Sequence, residues 1–157
     1  MSKDSERFQV WLDGGMAAPE DARVSVLTAT AMRGANVYEG LRAYRDEVRD
    51  YLFVWKLDQH LERLLVNMKI MRMTSPCGFD EYRQAVLDRA LAKRFREDVH
   101  MRLVTYFGFG GAGDVKKYRP EEIEIGAWVA GGGCPHDDAL RHGIHVCVSS
   151  WRRITVL

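Results

Sequence analysis

Asn36-Val37-Tyr38-Glu39-Gly40-Leu41-Arg42-Ala43-Tyr44, followed by Tyr51-Leu52-Phe53-Val54-Trp55, is the stretch whose reading decides the fold. Both segments are rich in β-branched and aromatic residues, and the run between them is polar and highly charged, so they read as an antiparallel strand pair joined by a loop. In such a strand Tyr38, Gly40 and Arg42 fall on one face. A helix comes next, with Asp58 placed as its cap and Leu61, Leu64, Leu65, Met68 and Met71 recurring every three or four residues as one apolar stripe against the sheet. Ser75-Pro76-Cys77-Gly78 breaks that helix. Asp80 then precedes Tyr82, Val86, Ala90 and Leu91, again at helical spacing, which predicts a second helix to about Phe95.

Working outward, Phe8 to Leu12 alternates apolar and polar residues and runs into Asp13-Gly14-Gly15, a strand and a turn, with Arg23 to Leu27 expected as the returning partner. His100 to Phe109 and Glu122 to Ala130 read as two further strands. Gly131-Gly132-Gly133 reads as a linker, and Ile144, Val146 and Val148 as one side of a last strand with nothing after it to pair with. Strands grouped with two helices, without strict βαβ alternation, predict an α+β fold: an antiparallel sheet with two helices in residues 1–130, then a linker and the start of a second domain in 131–157.

The 157 residues suffice for one ordinary domain with a real core, and 46% apolar with 29% charged residues is a globular composition. With 23 basic against 22 acidic side chains no global field draws the chain to nucleic acid or to an anionic membrane, and no basic stripe interleaved with aromatics supplies a local one. No window approaches the ~20 apolar residues of a membrane span, and charges at Lys3, Asp4, Glu6 and Arg7 stand where a signal peptide needs an apolar run. Three widely spread cysteines, Cys77, Cys134 and Cys147, fit a reducing compartment, so a cytoplasmic location is expected.

Five segments, in order and over almost the whole length, resemble the class IV (fold-type IV) aminotransferases and within them the branched-chain aminotransferases. They are Val10-Trp11-Leu12-Asp13-Gly14, Tyr38 through Tyr44, His60-Leu61-Glu62-Arg63-Leu64, Met101-Arg102-Leu103, and Gly143 through Ser149-Ser150-Trp151-Arg152-Arg153. The resemblance implies the smaller α+β domain of a pyridoxal-phosphate enzyme, covering one side of the cofactor. It implies that Arg63 is a ligand of the cofactor phosphate, a task suited to a planar guanidinium that gives two parallel hydrogen bonds. The residues by themselves leave open that Arg63 lies on the solvated face of its helix. Tyr38 and Gly40 match positions lining the substrate pocket, Arg42 belongs to the same neighbourhood, and Arg102 matches a residue near the pocket mouth. Read without the family, Tyr38 is a core aromatic and Arg102 one half of a surface cross-strand pair. The implied substrates are an amino acid and a 2-oxo acid, and the implied assembly is a homo-oligomer or a pairing with a full-length relative.

Two departures stand out. Where branched-chain enzymes often carry His-Tyr-Gly this chain has Met32-Arg33-Gly34, which resembles the D-amino-acid aminotransferases and aminodeoxychorismate lyases of the same fold. In the family the Schiff-base lysine lies beyond the Ser149-Ser150-Trp151 strand, and the chain reaches Leu157 first. The lysines present match other parts of the pattern, so no catalytic residue is assigned and the chain alone is expected to lack transaminase activity.

Other signals are weaker. Gly108-Phe109-Gly110-Gly111-Ala112-Gly113 fits a dinucleotide fingerprint, but Asp114-Val115-Lys116-Lys117 after it is no apolar-periodic helix. Cys134, His136, His142, His145 and Cys147 match no common zinc spacing, so no metal is expected. No nucleophile turn of serine or cysteine is recognisable.

Overall fold

A computed structural model describes residues 9–91, 97–109, 125–133 and 141–151. The chain runs β1 (Val10–Leu12), β2 (Gly15–Ala17), α1 (Ala29–Arg33), β3 (Asn36–Asp46), β4 (Tyr51–Val54), α2 (Leu57–Ile70), α3 (Phe79–Leu91), β5 (Val99–Phe107) and β6 (Ile125–Gly133). All six strands join one sheet in the order β2-β1-β6-β5-β3-β4. Every pairing is antiparallel. The expected α+β class therefore holds, with a short third helix in addition to the two read from periodicity. The helix end expected at Phe95 and the strand start expected at Glu122 lie outside the described residues.

Alternation explains the layering. Along β3 the even-numbered residues from Tyr38 to Tyr44 are exposed, while Val37, Glu39, Leu41 and Ala43 are buried. The buried face continues through Leu103 and Met101 of β5, Ala127 and Val129 of β6, and Trp11 of β1. Leu57, Leu61, Leu64 and Met68 of α2 cover it, together with Tyr82, Ala85, Val86 and Ala90 of α3. Leu65 is only partly buried and Met71 is exposed, so the stripe on α2 is narrower than its sequence suggests.

Several local expectations are corrected. The partner of β1 is β2, and Arg23–Leu27 is not a strand: Asp13 (φ 45) and Gly14 (φ 101) form a two-residue turn of positive φ, which sends the chain straight back with Leu12 opposite Gly15. Asp58 is not the cap of α2. The helix starts at Leu57 from Lys56 in the left-handed conformation, because only Trp55 and Lys56 separate β4 from the helix, and Asp58 in the first turn bonds Arg83 of α3 at 3.1 Å. Gly131, Gly132 and Gly133 do not form a linker but finish β6, paired with Met101, His100 and Val99. A Cβ at Gly131 would lie 2.7 Å from Met101 Cγ, so the lack of a side chain there serves packing rather than flexibility.

The strand expected around Ile144, Val146 and Val148 is absent. Residues 143–149 hold no regular element, and these three side chains, with Trp151, are exposed, since nothing among the described residues pairs with them. The short α1 escaped the periodicity reading because five residues make little more than one turn. Thr28 caps it by accepting from the Ala31 N–H at 3.2 Å, and Gly34 ends it at φ 66. Among the described residues no helix is long and apolar enough to cross a membrane.

Candidate active site

Glu39 is the centre of the arrangement. Its carboxyl is 2% exposed on the helix-covered face of β3, a place where an unpaired charge would be costly. Two residues three apart on one side of α2 answer it. Arg63 donates from Nε to Oε1 at 2.7 Å and from Nη2 to Oε2 at 2.5 Å, while His60 Nδ1 lies 2.9 Å from Oε2. Facing a carboxylate, which only accepts, His60 Nδ1 carries a proton, and an Nδ1–H that donates to Glu39 cannot also accept from Arg63 Nη2 at 3.4 Å. Burial by itself pushes the Glu39 carboxyl up, but the hydrogen bonds from Arg63 and His60, reinforced by their charges, outweigh it and hold the group below its ordinary 4.5. The carboxylate in turn raises the proton affinity of Arg63.

Tyr38, Gly40 and Arg42 share the opposite, exposed face of β3, as alternation requires. Arg102 of β5 joins them: it stands opposite Gly40 in register, and its guanidinium lies over the Tyr38 ring, 5.4 Å from the centroid. Gly40 leaves room for a neighbour, since a Cβ there would sit 3.3 Å from His100 Nε2. The structure thus gathers Tyr38, Gly40, Arg42 and Arg102 in one group and sets Arg63 on the far side of the strand, joined to them through Glu39. β4 pairs with β3 only from Ala43 to Asp46. Among the described residues no strand covers the outer edge of β3 from Asn36 to Leu41, so both groups flank one open edge.

Three members of this arrangement were not singled out from the sequence: Glu39, His60 and His100. A carboxylate at an apolar-face position between Val37 and Leu41 was the available signal, because such a group demands partners, and His60 with Arg63 on one helix face could supply them. His100 is two residues before Arg102 and shares its face. Of the residues weighed as metal ligands, Cys134 and His136 lie outside the described residues, as does most of the glycine loop. Among the described residues no group of three or more His, Cys, Asp or Glu could hold a metal.

A separate cavity of about 460 Å³ lies by the β1–β2 turn, lined in part by Asp13, Cys77, Glu81 and Tyr106. Its polar groups are engaged: Asp13 accepts from Tyr106 Oη at 3.0 Å and from the Ala127 N–H at 2.7 Å, and Glu81 from the Gly78 N–H at 2.6 Å. Burial pushes the Cys77 thiol up, which makes it a poor nucleophile.

No protein-family model matches the chain. Solved structures do: the Escherichia coli branched-chain amino acid aminotransferase superposes at TM-score 0.78 with 26% identity, covering 95% of this chain and 49% of that one. The branched-chain aminotransferase of the archaeon Thermoproteus uzoniensis, solved with norvaline, gives TM-score 0.69 and 32% identity over 80% of this chain and 40% of that one. An enzyme of the same kind from T.th., solved with pyridoxamine 5′-phosphate, shares the fold at TM-score 0.69 and 22% identity, covering 82% of this chain and 41% of that one. The fold is therefore that of the N-terminal domain of the fold-type IV branched-chain aminotransferases.

Sequence narrows the class. The Pseudomonas aeruginosa branched-chain-amino-acid aminotransferase is 31% identical over 144 residues, which are 92% of this chain and 46% of that protein. This chain belongs to the branched-chain aminotransferase family and matches its N-terminal portion. It spans about half the length of the curated relatives it matches.

Proposed function

We propose that these residues form the small-domain wall of a pyridoxal-phosphate site that transfers an amino group between a branched-chain-type L-amino acid and a 2-oxo acid. The observation that carries the reading is Arg63, held at two points by Glu39 beside the strand that presents Tyr38 and Gly40. The donor set suits a phosphate. Nε and one N–H of Nη2 are taken, and among the described residues Nη1 has no partner, so guanidinium hydrogens remain for phosphate oxygens.

When bound, pyridoxal phosphate supplies the electron sink for transamination. This chain's part is to hold and orient. Arg63 would bind the phosphate, Tyr38 and Gly40 would shape the substrate side, and Arg42 with Arg102 would place positive charge toward the carboxylate of an amino acid or 2-oxo acid. The relatives compared above all carry the branched-chain name, which favours that substrate class over the D-amino-acid and aminodeoxychorismate alternatives suggested by Met32-Arg33-Gly34. A reaction centre complete with its lysine requires more than these side chains. Of the six lysines, Lys56 lies against Trp55 at the start of α2 and Lys69 in its last turn, and the other four fall outside the described residues. On the strength of the family resemblance we read the chain as a partner in an assembly, a homo-oligomer or a pairing with a full-length relative, in the cytoplasm.

Equilibrium dialysis with pyridoxal 5′-phosphate and with pyridoxal tests this. The phosphate form should bind measurably tighter to the chain, and Arg63→Ala should remove the difference. Equal affinity of the two forms for the unmodified chain would refute the assignment.

A further inference from the structure

Resting on the reading of Arg63 as the phosphate ligand, we propose that Glu39, assisted by His60, is the positioning residue of that arginine. A guanidinium has two forked edges, one formed by Nε with Nη2 and the other by Nη1 with Nη2. Glu39 fills the first with both carboxylate oxygens. That leaves the second edge, planar with the first and directed away from Glu39, as the one that meets an anion.

The burial asymmetry says which partner holds which. Glu39 is 2% exposed and anchored on a strand held in register through its flanking residues, Tyr38 opposite Val104 and Gly40 opposite Arg102, whereas the Arg63 side chain is 63% exposed and would otherwise sweep several rotamers in water. His60, 21% exposed, donates to the same Oε2 and keeps the carboxyl from rotating. Freezing a long side chain before its ligand arrives removes part of the ordering cost of binding.

The charge of Glu39 acts in the opposite direction. A carboxylate behind the guanidinium weakens the field felt by a phosphate. Positioning and simple electrostatics therefore predict opposite signs for Glu39→Gln, which keeps one neutral acceptor but loses the two-point hold. Positioning predicts an affinity for pyridoxal 5′-phosphate lower by about two- to tenfold. Electrostatics alone predicts tighter binding, and a merely structural role predicts no change in the folded protein.

The experiment combines nitrogen-15 NMR of the Arg63 guanidinium with pyridoxal 5′-phosphate titrations of the chain, Glu39→Gln and Arg63→Ala, each checked for folding by circular dichroism. Slow rotation about Nε–Cζ in the unmodified chain, fast rotation in Glu39→Gln and the weaker binding just stated are expected. Fast rotation in the unmodified chain overturns the inference even if Glu39→Gln fails to fold, and so does unchanged or tighter binding by folded Glu39→Gln. Arg63→Ala binding as tightly as the unmodified chain would instead remove the phosphate reading itself, and this inference with it, whatever the rotation rate.

Discussion

Glu39 stands where an apolar side chain would pack without cost, between Val37 and Leu41, and its charge is tolerated because two donors on α2 reach it. Its carboxyl is held below the ordinary 4.5 in the folded chain, so the stabilisation is present at neutral pH and is lost as pH falls below that value and through the folded pKa. Glu39→Gln should flatten this acid limb, as read from urea midpoints between about pH 6 and pH 3; identical limbs in the two proteins would contradict the account. The two halves of the pair should also differ. Arg63→Ala leaves a buried carboxylate with only His60, while Glu39→Gln leaves a guanidinium largely in water, so Arg63→Ala should lower the urea midpoint at neutral pH by more. Gly126 carries a different demand. A Cβ there would meet the Tyr106 ring at 2.3 Å, and Tyr106 is itself tied to Asp13, so Gly126→Ala should destabilise by about 1–3 kcal/mol in chemical denaturation.

Helix α2 joins fold to site, because Leu61 and Leu64 lie on the sheet while His60 and Arg63, each one residue earlier, reach Glu39. Leu64→Ala should cost about 2–5 kcal/mol of stability as a buried large-to-small change. The same variant should loosen the hold on Arg63, visible as faster guanidinium exchange. How legible an element was in sequence followed its length and its regularity. The 14 residues of α2 and the strict alternation of β3 could be read directly. The tight β1–β2 turn could not be told from a wider loop, and Gly131–Gly133 looked like a linker because sequence does not reveal that Met101 occupies the space above Gly131. Arg89 shows the same limit. It falls on the buried stripe of α3, fully covered, and donates to the Gly131 carbonyl at 2.5 Å, a tertiary bond that periodicity treats as a polar interruption.

At the scale of the molecule, one face of the sheet is packed and the other presents Tyr38, Gly40, Arg42 and Arg102 beside an open stretch of β3. Tyr38, Gly40, Arg42 and Arg102, which the resemblance named together, share one side of the sheet, but their separation from Arg63 by the thickness of the strand appeared only in three dimensions, since neither sequence spacing nor resemblance reports which side of a sheet a helix covers. Ile144, Val146 and Val148 are exposed, and among the described residues no strand lies beside them. The central claim is that the phosphate is met by the Arg63 edge that Glu39 leaves free. Backbone and side-chain NMR shifts during titration with pyridoxal 5′-phosphate test it most directly. The account predicts that the largest changes fall on Arg63, His60 and Glu39, with smaller ones at Tyr38 and Gly40, and changes centred instead on Asp13, Cys77 and Tyr106 at the β1–β2 cavity would contradict it.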